Sequence, residues 1–333
     1  MNTLGALCNV KPKKMTQIQK LLAALLLIIT AACTPEEEPK LEVNAVDPPN
    51  SKLELEQFMK AGREAFQEFT FDAGAAQTIT GAEGTIFTIP ANAFEHPNGQ
   101  TTSGNVTLRL REMYSPGAMI FNNAGTVSKG QILNSGGSFE LAIQQNGTDV
   151  RLAPNAQIGV GVPTDSMDAN MELFAANTRD TNNQINWQAQ DVNVADTTRD
   201  STGTAIDSLY RFQLRSLFRF INCDYFNTDP RPLTEVTIQV GPNMTRTDTR
   251  VLVYLPSVNA MVPVYNFSSP NFLINGGYRL PVGINAVFIA INVDNLGVYN
   301  YAIQQNTVTQ NHLEVMNFSS ITQTQLIQLL NSL

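Results

Sequence analysis

The sequence has few of the residues from which catalytic and metal sites are most often built. It contains three cysteines, two histidines and one tryptophan in 333 residues. His96 precedes a proline in a turn-like stretch and His312 lies in a polar connection. The sequence therefore offers few residues that could form a histidine-based metal site or a Ser-His-Asp triad. No Gly-x-Ser-x-Gly, P-loop or His-Glu-x-x-His motif occurs. We therefore expect no enzyme activity, no catalytic residue, no bound metal and no cofactor.

Charge is also scarce, and it is mostly negative. Charged residues make up 15% of the chain, and the formal net charge is −8. Removal of residues 1–32 would take away four lysines and no acidic residue, which changes the net charge from −8 to −12. Nucleic-acid binding needs Lys and Arg to displace counterions, so the composition argues against a nucleic-acid partner.

Long apolar runs are missing as well. The longest N-terminal run, at 21–29, has nine residues, whereas a membrane span needs about 20. It follows four lysines and precedes Thr30-Ala31-Ala32-Cys33, an order typical of a signal peptide. The small residues before Cys33 resemble a lipobox, which implies cleavage before Cys33 and diacylation of its sulfur. An ordinary signal peptide cut near Ala32 is the alternative, and Met15 is a plausible start.

The next segment, 33–50, is rich in glutamate and proline. Such a composition cannot bury apolar surface and predicts a solvated tether. Its Glu36-Glu37-Glu38 run resembles the acidic signal that sends some Bacteroidota lipoproteins to the outer face of the outer membrane. A plain linker explains the same residues.

A helix is predicted over 51–69. Ser51 and Glu54 have the spacing of a capping box. Apolar residues recur at helical spacing along one face, which predicts packing against a core. These residues are Leu55, Phe58, Met59, Gly62, Phe66 and Phe69.

The rest of the chain predicts a mainly β fold with two β-sandwich domains. Short alternating strands and turn signals recur over 70–164 and again over 233–318, where an immunoglobulin-like sandwich is the simplest closure. Between them, 165–232 is expected to form a bridging hairpin, a polar loop and a junction element. A C-terminal helix is predicted within 319–333, with Ser320 and Gln323 as its capping box.

Two motifs resemble known families. Gly84-Thr85-Ile86-Phe87-Thr88-Ile89-Pro90, followed by Ala93-Phe94, resembles a bacterial ZU5-like β-sandwich segment. Ile221-Asn222-Cys223-Asp224, followed by Phe226, resembles an element of uncharacterised Bacteroidota surface lipoproteins. The resemblance implies structural roles for the key motif residues and supplies no activity. These residues are Gly84, Pro90, Phe94, Asn222, Cys223 and Asp224.

Cys223 would be the only cysteine left after processing and acylation, so no intramolecular disulfide is expected. It could be a nucleophile, but a neighbouring Asp224 would raise the pKa of the thiol. Its apolar neighbours favour a buried, unreactive thiol, with Asn222 and Asp224 bonded to backbone at a domain junction.

The leading functional prediction is a non-catalytic surface lipoprotein, anchored in the outer membrane, that binds an unknown protein or glycan or takes part in envelope assembly. One alternative is an accessory polysaccharide-binding protein, which would need exposed rings; the candidates are Trp187, Tyr114, Tyr225, Tyr265 and Tyr299. The other is a glycan hydrolase with a carboxylate pair; the candidates are Glu112, Glu140, Glu172 and Asp224.

Overall fold

Alternating apolar and polar residues build this chain into strands, and the fold is mainly β, as predicted. The computed structural model describes residues 51–165, 167–192, 194 and 208–333. The predicted signal peptide, Cys33, the tether at 33–50 and most of the polar loop at 190–208 lie outside the described residues. Among the described residues, no helix is both long enough and apolar enough to cross a membrane.

The helices in the described part of the chain are α1 (Ser51–Ala61), α2 (Pro116–Phe121) and α3 (Gln323–Asn331). The strands of the first half are β1 (Gln67–Asp72), β2 (Gln77–Thr80), β3 (Ile86–Ile89), β4 (Phe94–Glu95), β5 (Asn105–Met113), β6 (Val127–Ser128), β7 (Gln131–Gln145), β8 (Thr148–Asp149), β9 (Arg151–Leu152), β10 (Ile158–Pro163), β11 (Glu172–Ala176), β12 (Gln188–Ala189), β13 (Leu209–Leu214) and β14 (Phe220–Phe226). Those of the second half are β15 (Leu233–Thr234), β16 (Val236–Gln239), β17 (Thr249–Leu255), β18 (Ala260–Val264), β19 (Asn266–Ser268), β20 (Asn271–Ile274), β21 (Leu280–Pro281), β22 (Asn285–Val293), β23 (Tyr299–Thr307), β24 (His312–Val315) and β25 (Ser319–Ile321).

The first sandwich packs a large sheet against a smaller one. The larger sheet has the strand order β1-β5-β7-β14-β11-β12, with β6 and β8 also paired to β7. The smaller sheet has the order β13-β10-β3-β2. Strand β5 shows why the sheets face each other: Val106, Leu108 and Leu110 are buried in the shared core, while Arg109 and Arg111 lie on the opposite face. This alternation is the one that the sequence predicts.

The second sandwich has its own core. One sheet has the order β19-β20-β16-β24 and the other β18-β17-β22-β23-β25. Strands β16 and β24 are parallel, which a local hairpin cannot produce and a sequence pattern does not reveal. The central strand β22 is buried along both faces except at its first residue, Asn285. A near-continuous apolar run is the pattern expected of a strand covered on both sides.

The predicted helix over 51–69 is too long. Helix α1 ends at Ala61, and Gly62 follows it with no room for a side chain, because a Cβ there would lie 2.1 Å from Cε1 of Phe121. The chain then turns, and Phe66 lies under the guanidinium groups of Arg109 and Arg111, at 4.4 and 3.9 Å from the ring centre. The apolar residues after Gly62 continue the helical spacing only by coincidence. They belong to the turn and to β1, which bury a different face from that of α1.

The C-terminal helix also begins later than predicted. The N-cap is Thr322, and the capping box joins Thr322 to Gln325 rather than Ser320 to Gln323. Ser320 belongs to β25, which pairs with β23. Two overlapping sequences fit the same capping pattern, and the pairing of β25 with the sheet selects the second.

Residues 165–232 are not a bridge between two domains. They supply β11, β12 and β14 to the larger sheet of the first sandwich and β13 to the smaller sheet. The predicted junction element is therefore wrong in its position, since β14 lies between β7 and β11 and its Ile221 and Cys223 are in the first core. Within this range, β11 and β12 form an antiparallel pair.

The long strand β7 makes the actual junction. Ile132, near its start, is part of the second core, whereas Phe139 belongs to the first. Just before β7, the N–H of Thr126 donates to O of Met261 at 2.9 Å, and the N–H of Met261 donates to Oγ1 of Thr126 at 2.8 Å. This reciprocal pair bonds the first sandwich to β18 of the second.

Candidate functional site

Glu112 on β5 holds the loop of the 84–94 motif in place. Its carboxylate accepts the backbone N–H groups of Glu83 and Thr85 and the side-chain amide of Gln67, each at 2.9 Å. Oγ1 of Thr85 donates to the same carboxylate. Gly84, within the loop, has a φ of 98°, which glycine adopts most readily. These contacts give the Gly84-Thr85 pair a structural role, and they occupy the Glu112 carboxylate.

Pro90 lies on the surface of the first sandwich, and Phe94 lies in its interior. Pro90 is exposed and follows the last residue of β3. Phe94 is fully buried in the first core, with its ring centre 6.3 Å from that of Phe71. Phe94 therefore packs the interior, whereas Pro90 borders an open surface.

The Asn222-Cys223-Asp224 segment is completely buried. The side-chain amide of Asn222 donates to Oδ2 of Asp224 at 2.5 Å, and Oγ of Ser135 donates to Oδ1 of Asn222 at 3.4 Å. The pairing of β14 with β7 shifts register between Asn222 and Asp224, as in a β-bulge. The polar pair of Asn222 and Asp224 therefore lies at this irregularity in the larger sheet.

Burial controls the ionisation of both titratable groups in this segment. Burial raises the pKa of Asp224 well above its usual range, and hydrogen bonds from its neighbours offset that rise only in part. Burial, followed by the nearby Asp224 carboxyl, raises the pKa of the Cys223 thiol. Both effects oppose formation of a thiolate, so the geometry favours a structural cysteine over a nucleophile.

The candidate carboxylates of a hydrolase are engaged in separate contacts. Glu140 is 4% exposed and pairs with Arg111 at 2.7 Å and with Arg219 at 2.6 Å. Asp224 is bonded to Asn222, and Glu172 lies exposed at the start of β11. Glu172 and Asp224 are directly opposite each other in the register of β11 and β14. A retaining or inverting glycosidase needs two carboxyl groups facing one substrate, and Asp224 is fully buried, whereas Glu172 is exposed.

The histidines lie in different sandwiches. His312 stacks on Phe288 with ring centres 5.2 Å apart, and its Nε2 lies 3.1 Å from Oε2 of Glu314. His96 follows β4, and its N–H donates to O of Gln100. Within the ranges that the structure describes, no group of three or more His, Cys, Asp or Glu residues is placed to hold a metal ion.

The five aromatic candidates do not form an exposed platform. Trp187 is 1% exposed, and its Nε1 donates to O of Gly125 at 2.8 Å. The remaining four are partly buried; they are Tyr114, Tyr225, Tyr265 and Tyr299. The hydroxyl group of Tyr114 bonds to Oγ1 of Thr85 inside the first sandwich, so its ring is part of the fold.

A groove of about 620 Å³ crosses the outer face of the smaller sheet of the first sandwich. In the strand register, Thr78, Thr88, Gly159 and Gln213 form one row across the sheet. Thr80, Ile86, Gly161 and Arg211 form the next row. Both rows lie on the outer face, because the intervening Phe87, Val160 and Phe212 are buried in the core. Pro90 lines one edge.

Two glycines create the floor of this groove. Gly159 and Gly161 take adjacent outward positions on β10, and neither has a positive φ. A Cβ at Gly159 would have its nearest contacts at 3.4 Å, and one at Gly161 would lie 3.3 Å from the flexible end of Leu209. Alanine would therefore fit with small adjustments, and glycine in a strand interior costs about 0.5–1 kcal/mol relative to alanine. Neither backbone geometry nor packing requires these glycines.

The groove cannot bind a ligand by strand pairing on β10. Strand β10 pairs with β3 on one side and β13 on the other, so its backbone groups are already used and cannot accept an added strand. The lining supplies hydroxyl groups from Thr78 and Thr88 and an amide from Gln213. The lining also includes apolar side chains such as Ile86 and Pro90, so the groove suits an extended ligand that carries polar groups.

Sequence reasoning identified β10 as a strand but did not identify the groove. The signal was present in the alternation of Ile158-Gly159-Val160-Gly161-Val162, where every outward position is glycine. Its partners Thr88 and Gln213 come from distant parts of the chain. Only the sheet order places them on either side of the glycines.

In comparisons with known proteins, no family model matches this sequence. A search of the curated proteins likewise gives no match.

Proposed function

We propose that this protein is a non-catalytic, lipid-anchored surface protein of the outer membrane that binds a polar envelope ligand in the groove over Gly159 and Gly161. The anchor is Cys33, inferred from the signal-like N-terminus, and the acidic segment 33–50 is the tether. The comparisons do not bear on this proposal, which rests on the sequence and on the groove.

The observation that carries the proposal is the pair of glycines. A strand gains stability when an interior glycine is replaced by a residue that fits, yet the two outward positions of β10 that pair with both β3 and β13 lack side chains. Glycine in a strand often marks a place where another molecule approaches the backbone closely. Glycines that lower the stability of a strand are often kept because they serve a function. The open floor over Gly159 and Gly161 is therefore consistent with binding.

A polysaccharide is the second candidate ligand, and the lining of the groove favours it. Threonine hydroxyls and glutamine amides can both donate and accept hydrogen bonds, which matches the hydroxyl groups of sugars. The lack of an exposed ring among the five aromatic candidates removes the stacking contact that would strengthen such binding. A glycan bound here would therefore be held through hydrogen bonds.

The test fills the groove without disturbing the fold. In the variant Gly159→Thr/Gly161→Thr, β-branched side chains occupy the floor, and threonine suits a strand. Loss of the two interior glycines should keep the melting temperature unchanged or raise it. Envelope proteins and polysaccharides captured from surface-labelled cells by the wild-type chain should be lost with this variant.

Ser268→Thr is the matched control, since Ser268 is an exposed strand residue of the second sandwich. It should capture the same material as the wild type. If the groove-filled variant folds normally and captures the same ligands as the wild type, the groove is not the binding site. Separate analysis of captured proteins and captured polysaccharides distinguishes the two candidate ligands.

A further inference from the structure

Four arginines surround the buried Glu140 on the outer face of the larger sheet. Arg111 on β5 lies directly opposite Glu140 on β7, and Arg219 immediately precedes β14. Arg63 follows α1, and Arg179 follows β11. We call Arg63, Arg111, Arg179, Arg219 and Glu140 the arginine cluster. It lies on the opposite face of the first sandwich from the glycine groove.

Only two of these arginines neutralise Glu140. Nη1 of Arg111 is 2.7 Å from Oε2 of Glu140, and Nη2 of Arg219 is 2.6 Å from Oε1. Each carboxylate oxygen thus has its own guanidinium partner. The carboxylate of Glu140 is 6% exposed, whereas the Arg219 side chain is 41% exposed. The cluster therefore has an accessible edge around a satisfied, buried carboxylate.

The other two arginines donate only to backbone oxygens in the described structure. Nε of Arg63 donates to O of Phe121 at 2.9 Å. Nη1 of Arg179 donates to O of Asn122 at 2.8 Å and to O of Asn183 at 3.1 Å. A guanidinium group has five N–H donors, so both terminal nitrogens of Arg63 lack a hydrogen-bond acceptor among the described residues, as do Nε and Nη2 of Arg179. The guanidinium group of Arg179 also lies over the ring of Phe220, 4.6 Å from its centre.

The cluster has more positive charge than its own acidic group balances. Four guanidinium groups and one carboxylate give a formal charge of +3, in a chain whose net charge is −8. Burial, followed by the charges of Arg63, Arg111 and Arg219, lowers the pKa of Arg179 to about 10, and Glu140 offsets only part of that fall. The carbonyl end of α2 attracts cations, but it supplies only a partial charge and does not cancel the excess.

We propose that the arginine cluster binds a phosphate group, with Arg63 and Arg179 as its principal ligands. Guanidinium groups bind phosphate oxygens in paired, charge-assisted hydrogen bonds. The carboxylate of Glu140 has one negative charge and two oxygens, and its contacts with Arg111 and Arg219 already use both oxygens. A phosphate group supplies further charge and further acceptor oxygens, which fits the unused donors of Arg63 and Arg179.

The experiment measures melting temperature of the full chain in neutral detergent, in phosphate and in chloride at equal ionic strength. Inorganic phosphate should stabilise the wild type in a saturable way that chloride does not reproduce, because a ligand that binds the folded state shifts unfolding. Each lost charge-assisted contact weakens binding about tenfold. The variant Arg63→Gln/Arg179→Gln should therefore need about 100-fold more phosphate for the same shift.

The matched control is Arg246→Gln/Arg279→Gln. Both residues are exposed arginines of the second sandwich, and each makes one hydrogen bond, to Asn182 and to Gly276 respectively. This control should respond to phosphate as the wild type does. If the double variant of the cluster does not fold, Arg63→Gln alone removes a single backbone contact and should weaken the response about tenfold.

Glycerophosphoglycerol, the soluble headgroup of phosphatidylglycerol, identifies the source of the phosphate. Stabilisation by both this diester and inorganic phosphate indicates a lipid headgroup, and stabilisation by inorganic phosphate alone indicates a free phosphate or monoester. Equal melting temperatures in phosphate and chloride overturn the proposal. An unchanged phosphate response in the cluster variants overturns it as well.

Discussion

The buried carboxyl group of Asp224 should make the stability of this protein depend on pH in an unusual direction. Asp224 is fully buried, and burial raises its pKa well above the ordinary value near 3.8. The folded state therefore holds a proton that the unfolded state releases as the pH rises through that ordinary value. The stabilisation is fully present below the ordinary pKa and is lost progressively as the pH rises toward the folded pKa.

The size of this effect follows from proton linkage. In this window the folded state binds one more proton than the unfolded state, so the free energy of unfolding falls by about 1.4 kcal/mol per pH unit because of this group. Asp224→Asn removes the ionisable group while keeping its shape.

The assay is urea unfolding of the wild type and of Asp224→Asn at pH 5, 6 and 7. The stability of the wild type relative to the variant should fall as the pH rises from 5, and it should level off above the folded pKa of Asp224. Asp229→Asn is the control, because Arg231 lowers the pKa of Asp229 and this group is then ionised in both states across the range. A difference between wild type and Asp224→Asn that is constant from pH 5 to 7 would refute the reasoning.

Three further predictions concern the residues that the sequence singled out. Phe94→Ala should lower the stability by about 3–5 kcal/mol, since it empties a fully buried site; thermal unfolding checks this, and an unchanged melting temperature would contradict it. Cys223 should react with a thiol reagent only after denaturation, because the thiol is 0% exposed and burial raises its pKa; rapid labelling of the native protein at neutral pH would restore the nucleophile interpretation. Cys33→Ser should release the protein from membranes, because two acyl chains are needed for stable anchoring; detergent-phase partitioning measures this, and a variant that stays in the detergent phase would exclude the lipid anchor.

Local sequence patterns predicted the strands well and the ends of the helices poorly. The alternation of Val106, Leu108 and Leu110 with Arg109 and Arg111 assigns the two faces of β5 correctly, because side-chain direction in a strand depends only on a period of two. The predicted helix extends beyond the actual end of α1 at Ala61, because apolar residues continue by chance at helical spacing beyond Gly62. The decisive contact there is with Phe121, which lies 59 positions away in the chain, and no local pattern contains it.

What the sequence by itself determined is the class of fold, the burial of Cys223 and the small number of histidines and cysteines. These properties follow from composition and from short-range periodicity. Only the tertiary structure decided that β14 lies inside the first sandwich, that Gly159 and Gly161 form the floor of a groove, and that Arg111 and Arg219 both pair with Glu140. Each of these depends on which strands pair across long stretches of chain, and that choice is made by the packing of whole sheets rather than by neighbouring residues.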